Sequence, residues 1–414
     1  MEINDLFAQA LPVTPPWTIA SSQLEGSPAV LTLNLEVPAG SKMACPKCDR
    51  GGCGVHDRVE KRWRHLNFWQ YETYLVAKVP RVRCDECGVH LADVPWARPG
   101  SGFTLLFEAL VLVLSSEMPV SKCAEMIGEH DTRLWRVIHH YVGKAHQEQD
   151  WSRVERVAVD ETSRRKGHRY VTNFVDTDTG NLLFMTDGKS ADTFERFALE
   201  LVEHQGDPNS ITEVAIDMSP AFRSGAAKHL PQAEVVFDRF HVMQMAGEAL
   251  DRVRKQINRQ VGGLGKGAMW ALRGNESNLT IDQKAQRKRL CREHQTLGRA
   301  MALREYLQDM WIYANADLGR EHFESWYSWA RRCRLEPFKE LALRLRNHLS
   351  GILAYYNNWT TSGMIEAING KLQLAKKRAR GYRNFRNFRA IAYWIAGGIR
   401  PGAGLPNPLS MPAF

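Results

Sequence analysis

The chain switches between two hydrophobic periods, and the switches mark its parts. Residues 29–37 and 71–79 place apolar side chains at every second position, the period of half-buried strands. Pro95, Pro99 and Gly100 close that region. Residues 103–147 follow a helical period instead. Within them, 120–128 predicts a helix ending at Gly128, and 131–141 a second helix with Asp131 as its cap. Strand signals return at 157–160, 168–176 and 182–186. The basic run Arg164-Arg165-Lys166-Gly167 joins the first pair, and Asp178-Thr179-Gly180 the second. A helix over 191–204, a strand ending at Asp217, a helix over 220–229 and a strand over 233–238 follow. This β-β-β-α-β-α-β order predicts an α/β sheet with mixed strand directions. From about 240 to 359 the pattern is helical and charged, dotted with Trp270, Trp311, Trp326 and Trp329, and holds no clear strand. Two last helices, over 361–377 and 385–396, return to the sheet.

The expected organisation is a multidomain α+β chain. Its parts are an N-terminal segment with a zinc-binding ribbon (1–100), a helix-turn-helix region (101–150), and an α/β core in two pieces (151–240 and 360–414), split by an all-helical insertion (241–359). A length of 414 residues with 44% hydrophobic content allows about two to four cored domains. The apolar stretch 105–114 is broken by Glu108 and is too short to span a bilayer. The opening Met1-Glu2-Ile3-Asn4-Asp5 is polar and acidic, unlike a signal peptide, so a cytoplasmic protein without a membrane partner is expected. The net charge of +9 favours a polyanionic partner, with nucleic acid first. A merely basic soluble enzyme is the plain alternative.

Four of the eight cysteines form two Cys-x-x-Cys pairs, Cys45 with Cys48 and Cys84 with Cys87. The pattern suits structural Zn²⁺ better than a disulfide framework. Four protein ligands would leave no open position for catalysis. The stretch 49–83 between the pairs is long for a minimal finger, but strands can fill it. Cys53 and His56 offer a rival ligand pair. Basic residues around the pairs alternate with Trp63, Trp69, Tyr71 and Tyr74, and the tryptophans are expected in the core of a small β-domain.

The second helix of the 120–141 pair carries Arg133, Arg136, His139 and His140 among Leu134, Val137, Ile138 and Tyr141. Two short helices about a glycine turn make a helix-turn-helix candidate, with Arg133 and Arg136 placed to contact DNA. Cys123 is expected in its core.

Three carboxylates draw the chemistry together. Asp160 and Asp217 each end an apolar run, and Glu366 lies on a late helix. In a ribonuclease-H-like sheet the first and fourth strands lie side by side and the late helix packs across them. The trio would then converge on one or two Mg²⁺ (or Mn²⁺) ions, which activate the attacking oxygen and stabilise the leaving one. Strand alternation points Glu161 to the opposite face. Asp176 and Asp178 sit at a turn and are expected to be solvated. Asp238 and His241, spaced Asp-x-x-His, are either accessory active-site groups or an ordinary helix start. Beyond Glu366 come Lys371, Lys376, Lys377, Arg378, Arg380, Arg383, Arg386 and Arg389, interleaved with aromatic and amide residues. Beside a candidate metal ligand, such a run favours a phosphate-binding track over a merely solvated face.

Several of these motifs, in this order, resemble the ISL-three-type insertion-sequence transposases. They are the paired Cys-x-x-Cys, Val159-Asp160-Glu161, Ile216-Asp217-Met218-Ser219-Pro220, Phe237-Asp238-Arg239-Phe240-His241, the Lys266–Arg273 segment, and Glu366-Ala367-Ile368-Asn369-Gly370 through Gly381-Tyr382-Arg383-Asn384-Phe385. The similarity spans roughly residues 40–400. It implies a DDE transposase with a ribonuclease-H-like fold, in which Asp160, Asp217 and Glu366 match the metal-binding positions and Asp238 and His241 match a motif of related families. It further implies a bacterial, nucleoid-associated protein, acting as a dimer or larger assembly. Such a protein binds the terminal inverted repeats of its element, cuts them and joins the 3′ ends to target DNA. A departure is Gln373, where some DDE families carry Lys or Arg; the phosphate contact there passes to Lys371, Lys376 or Lys377. The rival expectations are a DNA-binding regulator with an inactive nuclease-like domain, and a ribonuclease-H-like structure-specific nuclease.

Overall fold

Strand alternation in the first hundred residues builds one twisted sheet. The computed structural model describes residues 7–8, 11, 13–165, 169–274, 276–358 and 363–406. The chain divides into two compact units, residues 1–145 with 400–414, and residues 146–399.

In the first unit, strands β1 (Thr18–Glu25), β2 (Val30–Glu36), β3 (Gly54–Phe68) and β4 (Tyr71–Cys84) form a sheet in the order β1-β2-β4-β3, and the short β5 (Gly88–Leu91) pairs with β4. Leu31, Leu33 and Leu35 of β2 and Leu75, Ala77 and Val79 of β4 point to the buried face. Each fully buried leucine or valine there contributes about 1.5–3 kcal/mol. Trp63 and Trp96 pack edge-to-face under the sheet, but Trp69 is 78% exposed at the β3–β4 turn, contrary to its expected core position. The polar spelling of β1 and β3 hid them: β3 alternates exposed and half-buried positions along its first half and buries only Trp63, Arg64 and His65 in its second.

Arg64, 1% exposed, is held by the carbonyls of His65 and Thr73 and by Asn67 Oδ1. Helix α1 (Leu105–Glu117) starts where Thr104 Oγ1 accepts from Phe107 N at 3.3 Å. Glu108, the charge that interrupts its apolar run, is fully buried and satisfied by Arg98, Ser101 and Tyr141. Helix α2 (Val120–Ile127) ends at Gly128, whose φ of +71° a side chain rarely adopts. Helix α3 (Asp131–Gln147) follows; Asp131 lies inside its first turn rather than capping it. Leu134, Val137 and Ile138 form its buried face, and Cys123 of α2 is buried too.

The second unit holds a five-stranded sheet of β6 (Arg156–Arg165), β7 (Arg169–Asp176), β8 (Leu182–Asp187), β9 (Glu213–Ile216) and β10 (Glu234–Phe237), in the order β10-β9-β6-β7-β8. The pairs β6–β7 and β7–β8 are antiparallel, while β6–β9 and β9–β10 are parallel. The expected first and fourth strands are therefore neighbours. Arg164 and Arg165 belong to β6 rather than to a linker, and Lys166 to His168 lie outside the described residues. Helices α4 (Asp192–Glu203) and α5 (Pro220–His229) make the crossovers. Phe174, Phe194, Phe197 and Phe222 meet between them and the sheet.

After β10 the described residues form a helical stretch: α6 (Arg239–Gln260), α7 (Ala268–Arg273), α8 (Ile281–Glu293), α9 (Gln295–Gln308), α10 (Ala316–Arg332), α11 (Glu336–Arg346), α12 (Leu349–Leu353) and α13 (Tyr355–Asn358). Its own core includes Leu303, Phe323, Trp326 and Phe338. It returns to the sheet at Gly351, where an added Cβ would lie 2.6 Å from the Phe237 ring of β10. Helices α14 (Gly363–Arg378) and α15 (Phe385–Ala396) complete the unit; Thr361 and Ser362, expected to open α14, lie outside the described residues.

Candidate active site and nucleic-acid interfaces

Asp160 sits within β6, not at its end, because the strand runs five residues further. Asp217 is the first residue past β9, and its Oδ1 accepts from Ser219 N at 2.9 Å. Asp238 caps α6, accepting from Phe240 N at 2.9 Å, and its own N–H donates to Ile216 O. One turn into that helix, His241 places Nε2 3.7 Å from Asp238 Oδ2 and 3.9 Å from Asp160 Oδ1. The parallel pairing of β6, β9 and β10 thus gathers Asp160, Asp217, Asp238 and His241 at one edge of the sheet.

Burial dominates the shift that brings the Asp160 carboxyl up to about 6; the charges of Asp217 and Asp238 push the same way, against the Glu161 N–H and His241. Glu161 is not isolated on the far face as expected. Its carboxyl is pushed up by burial and feels Asp217, while Lys189 lies 3.8 Å away. The expected solvation fails for Asp176, which is buried and accepts from Asp178 N and Thr179 Oγ1; Asp178 is exposed as expected and pairs with Arg156.

Glu366 lies in the first turn of α14, exposed. Its carboxylate does not form, with Asp160 and Asp217, a group whose ligand atoms all lie within 4.8 Å of one another; among the described residues only two other groups do so. What α14 brings to Asp160 is Asn369, a residue that sequence reasoning did not single out. Its Nδ2 donates to Asp160 Oδ2 at 2.7 Å, and its Oδ1 accepts from Thr162 Oγ1 at 2.7 Å and from Asn173 Nδ2 at 2.9 Å. Asn173 is fully buried and faces Asp160 in the β6–β7 register. Asn369 stands three residues after Glu366, so both occupy one helix face, roughly 4.5 Å apart along the axis. That spacing was the available signal.

Further along α14, Gln373 and Lys376 both donate to Ser163 O of β6. Burial lowers the Lys376 ammonium's pKa, and Lys377 adds to that. Lys371, Lys377, Arg378, Arg380 and Arg383 are exposed. In the helix-turn-helix region Arg133 is already engaged by Glu129, by Gly102 O and by the Phe103 ring 4.1 Å away. Arg136 and His140 share an exposed face one turn apart.

The sulfurs of Cys45, Cys48, Cys84 and Cys87 come within 4.8 Å of one another. The backbone N–H groups of Cys87 and Glu86 bring the Cys84 thiol down to about 7, whereas the Cys48 sulfur pushes Cys87 up to about 12. Four thiols so placed cannot all ionise unless a cation joins them, which suits Zn²⁺. Cys53 and His56 stand outside the group: Cys53 Sγ donates to Arg50 O, and His56 Nδ1 contacts Arg83.

A zinc-ribbon segment, a helix-turn-helix segment and a sheet edge lined with carboxylates define a metal-dependent DNA-processing enzyme. Residues 157–392 match a DDE domain model of the ISL3 type described as "Transposase". Residues 92–142 match the "Helix-turn-helix domain of transposase family ISL3", and residues 41–87 the "zinc-finger of transposase IS204/IS1001/IS1096/IS1165". The chain is 31% identical over 358 residues to the transposase for insertion sequence element IS1001 of Bordetella parapertussis, covering 84% of this chain and 87% of that one. It is 28% identical over 391 residues to the transposase for insertion sequence element IS1557 of Mycobacterium tuberculosis, covering 86% of each. The chain belongs to the ISL3 family of DDE transposases. It carries DNA-binding and zinc-ribbon segments, and its domain type works with a divalent metal. Among the described residues no helix is long and apolar enough to cross a membrane.

Proposed function

We propose that Asp160, Asp217 and Glu366 are the carboxylates that hold the catalytic divalent ion, Mg²⁺ or Mn²⁺, and that Asp238 and His241 are accessory to them. The observation that carries the reading is the sheet order. It sets Asp160 on β6 and Asp217 just past the end of the parallel neighbour β9, with the helix of Glu366 tied to Asp160 through Asn369. Asp160, whose carboxyl is pushed up by burial and by the charges of Asp217 and Asp238, fits a bound cation, which relieves that repulsion. The strand order and the late helix support a ribonuclease-H-like core, with 241–359 as its helical insertion. When bound, the metal lowers the pKa of water and stabilises a leaving oxygen. Around it Asn369 fixes the rotamer of Asp160, and His241 stands between Asp160 and Asp238 to orient the nucleophile. Glu366, exposed on the same helix face as Asn369, would supply the third carboxylate to the ion.

The substrate in this reading is the terminal inverted repeat of the element, cut to expose a 3′-hydroxyl that then attacks target DNA. Arg136 reads the duplex from α3, with Arg133 at the start of that helix. Lys371, Lys377, Arg378, Arg380 and Arg383 track phosphates from α14 and the turn after it, and Lys376 positions α14 against β6. Cys45, Cys48, Cys84 and Cys87 hold the structural Zn²⁺. Two ends must be held at once, which requires a dimer or larger assembly on DNA in the bacterial cytoplasm. The test is Mg²⁺-dependent nicking and strand joining on a terminal-repeat duplex. Wild-type protein forms joined products, and Asp217→Ala binds the duplex without cutting it. Undiminished cleavage by that variant removes Asp217 from the catalytic set.

A further inference from the structure

Two histidines and a glutamate in the second unit take no part in the carboxylate site. His146 lies in the last turn of α3; Glu200 is in α4, and His204, four residues on, closes that helix. The imidazoles are 5% and 4% exposed. A backbone carbonyl only accepts hydrogen bonds, so the tautomers can be assigned. His146 Nε2 lies 3.0 Å from Leu183 O and carries a proton; so does His204 Nδ1, 3.0 Å from Gln149 O. In the neutral rings, His146 Nδ1 and His204 Nε2 are left as acceptors. One ligand atom from each of His146, Glu200 and His204 lies within 4.8 Å of the other two, with His204 Nε2 at 3.7 Å from Glu200 Oε1.

Two buried imidazoles and a partly exposed carboxylate drawn this close favour a positive charge between them. A shared proton is the simpler candidate, but 3.7 Å is too long for a hydrogen bond. The surroundings are those of metal-binding histidines, whose second ring nitrogen usually donates to a carbonyl or carboxylate and so fixes the ring. Both rings are clamped as well: Tyr393 stacks on His146 and Trp151 on His204, each at 3.9 Å between centroids. Burial pushes the His146 imidazole down to about 4, keeping it neutral and able to ligate at pH 7. We infer that His146, Glu200 and His204 form a second transition-metal site, taken by Zn²⁺, that pins the last turn of α3 to α4. Two nitrogens and one oxygen suit borderline zinc over Mg²⁺.

The inference does not depend on the carboxylate site and is tested without activity. Zinc per chain is measured by mass spectrometry on the full-length protein, dialysed with Mg²⁺ in excess to occupy the acidic site. About two equivalents are expected, one for the cysteine ribbon and one for this site. Glu200→Gln and His204→Gln each bring the content to about one and leave cobalt–thiolate absorption at the ribbon unchanged. Circular dichroism separates lost metal from lost fold. If the variants fail to fold, the wild-type chain still decides. One equivalent of zinc, with no second equivalent of Co²⁺ taken up on titration, overturns the inference, as does a second equivalent that both substitutions leave in place.

Discussion

The smallest unit that decides the chemistry is one amide. Asn369 donates to Asp160 and accepts from Thr162 and Asn173, so a single side chain joins the late helix to two strands. In the proposed function its removal acts through Asp160 rather than on substrate. Asn369→Ala leaves two buried donors without their acceptor, at a cost of about 1–3 kcal/mol of stability each. It also weakens Mn²⁺ binding by about 10–100-fold, the usual range for groups that orient metal ligands. Calorimetric titration of Mn²⁺ into folded variant and wild type checks this; equal affinities would show that Asp160 needs no such support. Asp160→Asn removes a ligand itself. Loss of several kcal/mol of charge stabilisation lowers the cleavage rate by about 10²–10⁴-fold, while duplex binding persists. Gel-based nicking together with a binding assay separates the two effects.

Among the elements, α12 and α3 carry the informative contacts. The helical stretch after β10 comes back to the sheet only because Gly351 lets the α12 backbone approach Phe237 and the Val235 carbonyl. A Cβ added there would lie 2.6 Å from the Phe237 ring and 2.9 Å from the Val235 oxygen. Gly351→Ala forces these elements apart and destabilises the second unit by about 1–3 kcal/mol, as overpacking does. Chemical denaturation followed by tryptophan fluorescence reads the shift. On α3, the exposed Arg136 differs from Arg133, whose guanidinium is occupied by Glu129 and Gly102. Arg136→Ala therefore weakens duplex binding and lowers the salt slope by about one if Arg136 meets a phosphate. Arg133→Ala instead loosens the helix pair. Fluorescence anisotropy across a salt series distinguishes them.

For the whole molecule, the two units hold themselves together by different means. The first joins a sheet core to a four-cysteine site, whereas the second relies on aromatic packing around its sheet and on its helical core. Chelating zinc should therefore lower the melting temperature of the first unit by more than that of the second, whose core does not depend on the inferred His146–Glu200–His204 zinc, visible as a split calorimetric transition. The first unit also has an acid weakness. His65 is buried against Thr104, and burial, then the Arg64 charge, lowers its pKa from 6.5 to about 4. The unfolded chain takes up that proton first. The stability of the neutral ring is complete above pH 6.5 and is lost as pH falls towards 4, by at most about 3 kcal/mol. Stability curves at pH 7 and pH 4.5 should differ less in His65→Gln than in wild type.

Signals between near neighbours in the chain define the elements and most of their order. Alternation locates β2 and β4, helical period locates α2 and α3, and proline and glycine mark their ends. The paired cysteines and the order of Asp160, Asp217 and Glu366 are legible for the same reason. Polar strands such as β3 escape, since their stability comes from the ladder with β4 rather than from their own apolar positions. Long-range packing alone dictates that Asp160 is met by His241 from α6 and by Asn369 from α14, that Asp176 is buried, and that Arg133 reaches Gly102 O as well as its near neighbour Glu129. Those outcomes depend on which strands pair and which helix crosses them, and pairing between residues up to about two hundred positions apart leaves no local period to read.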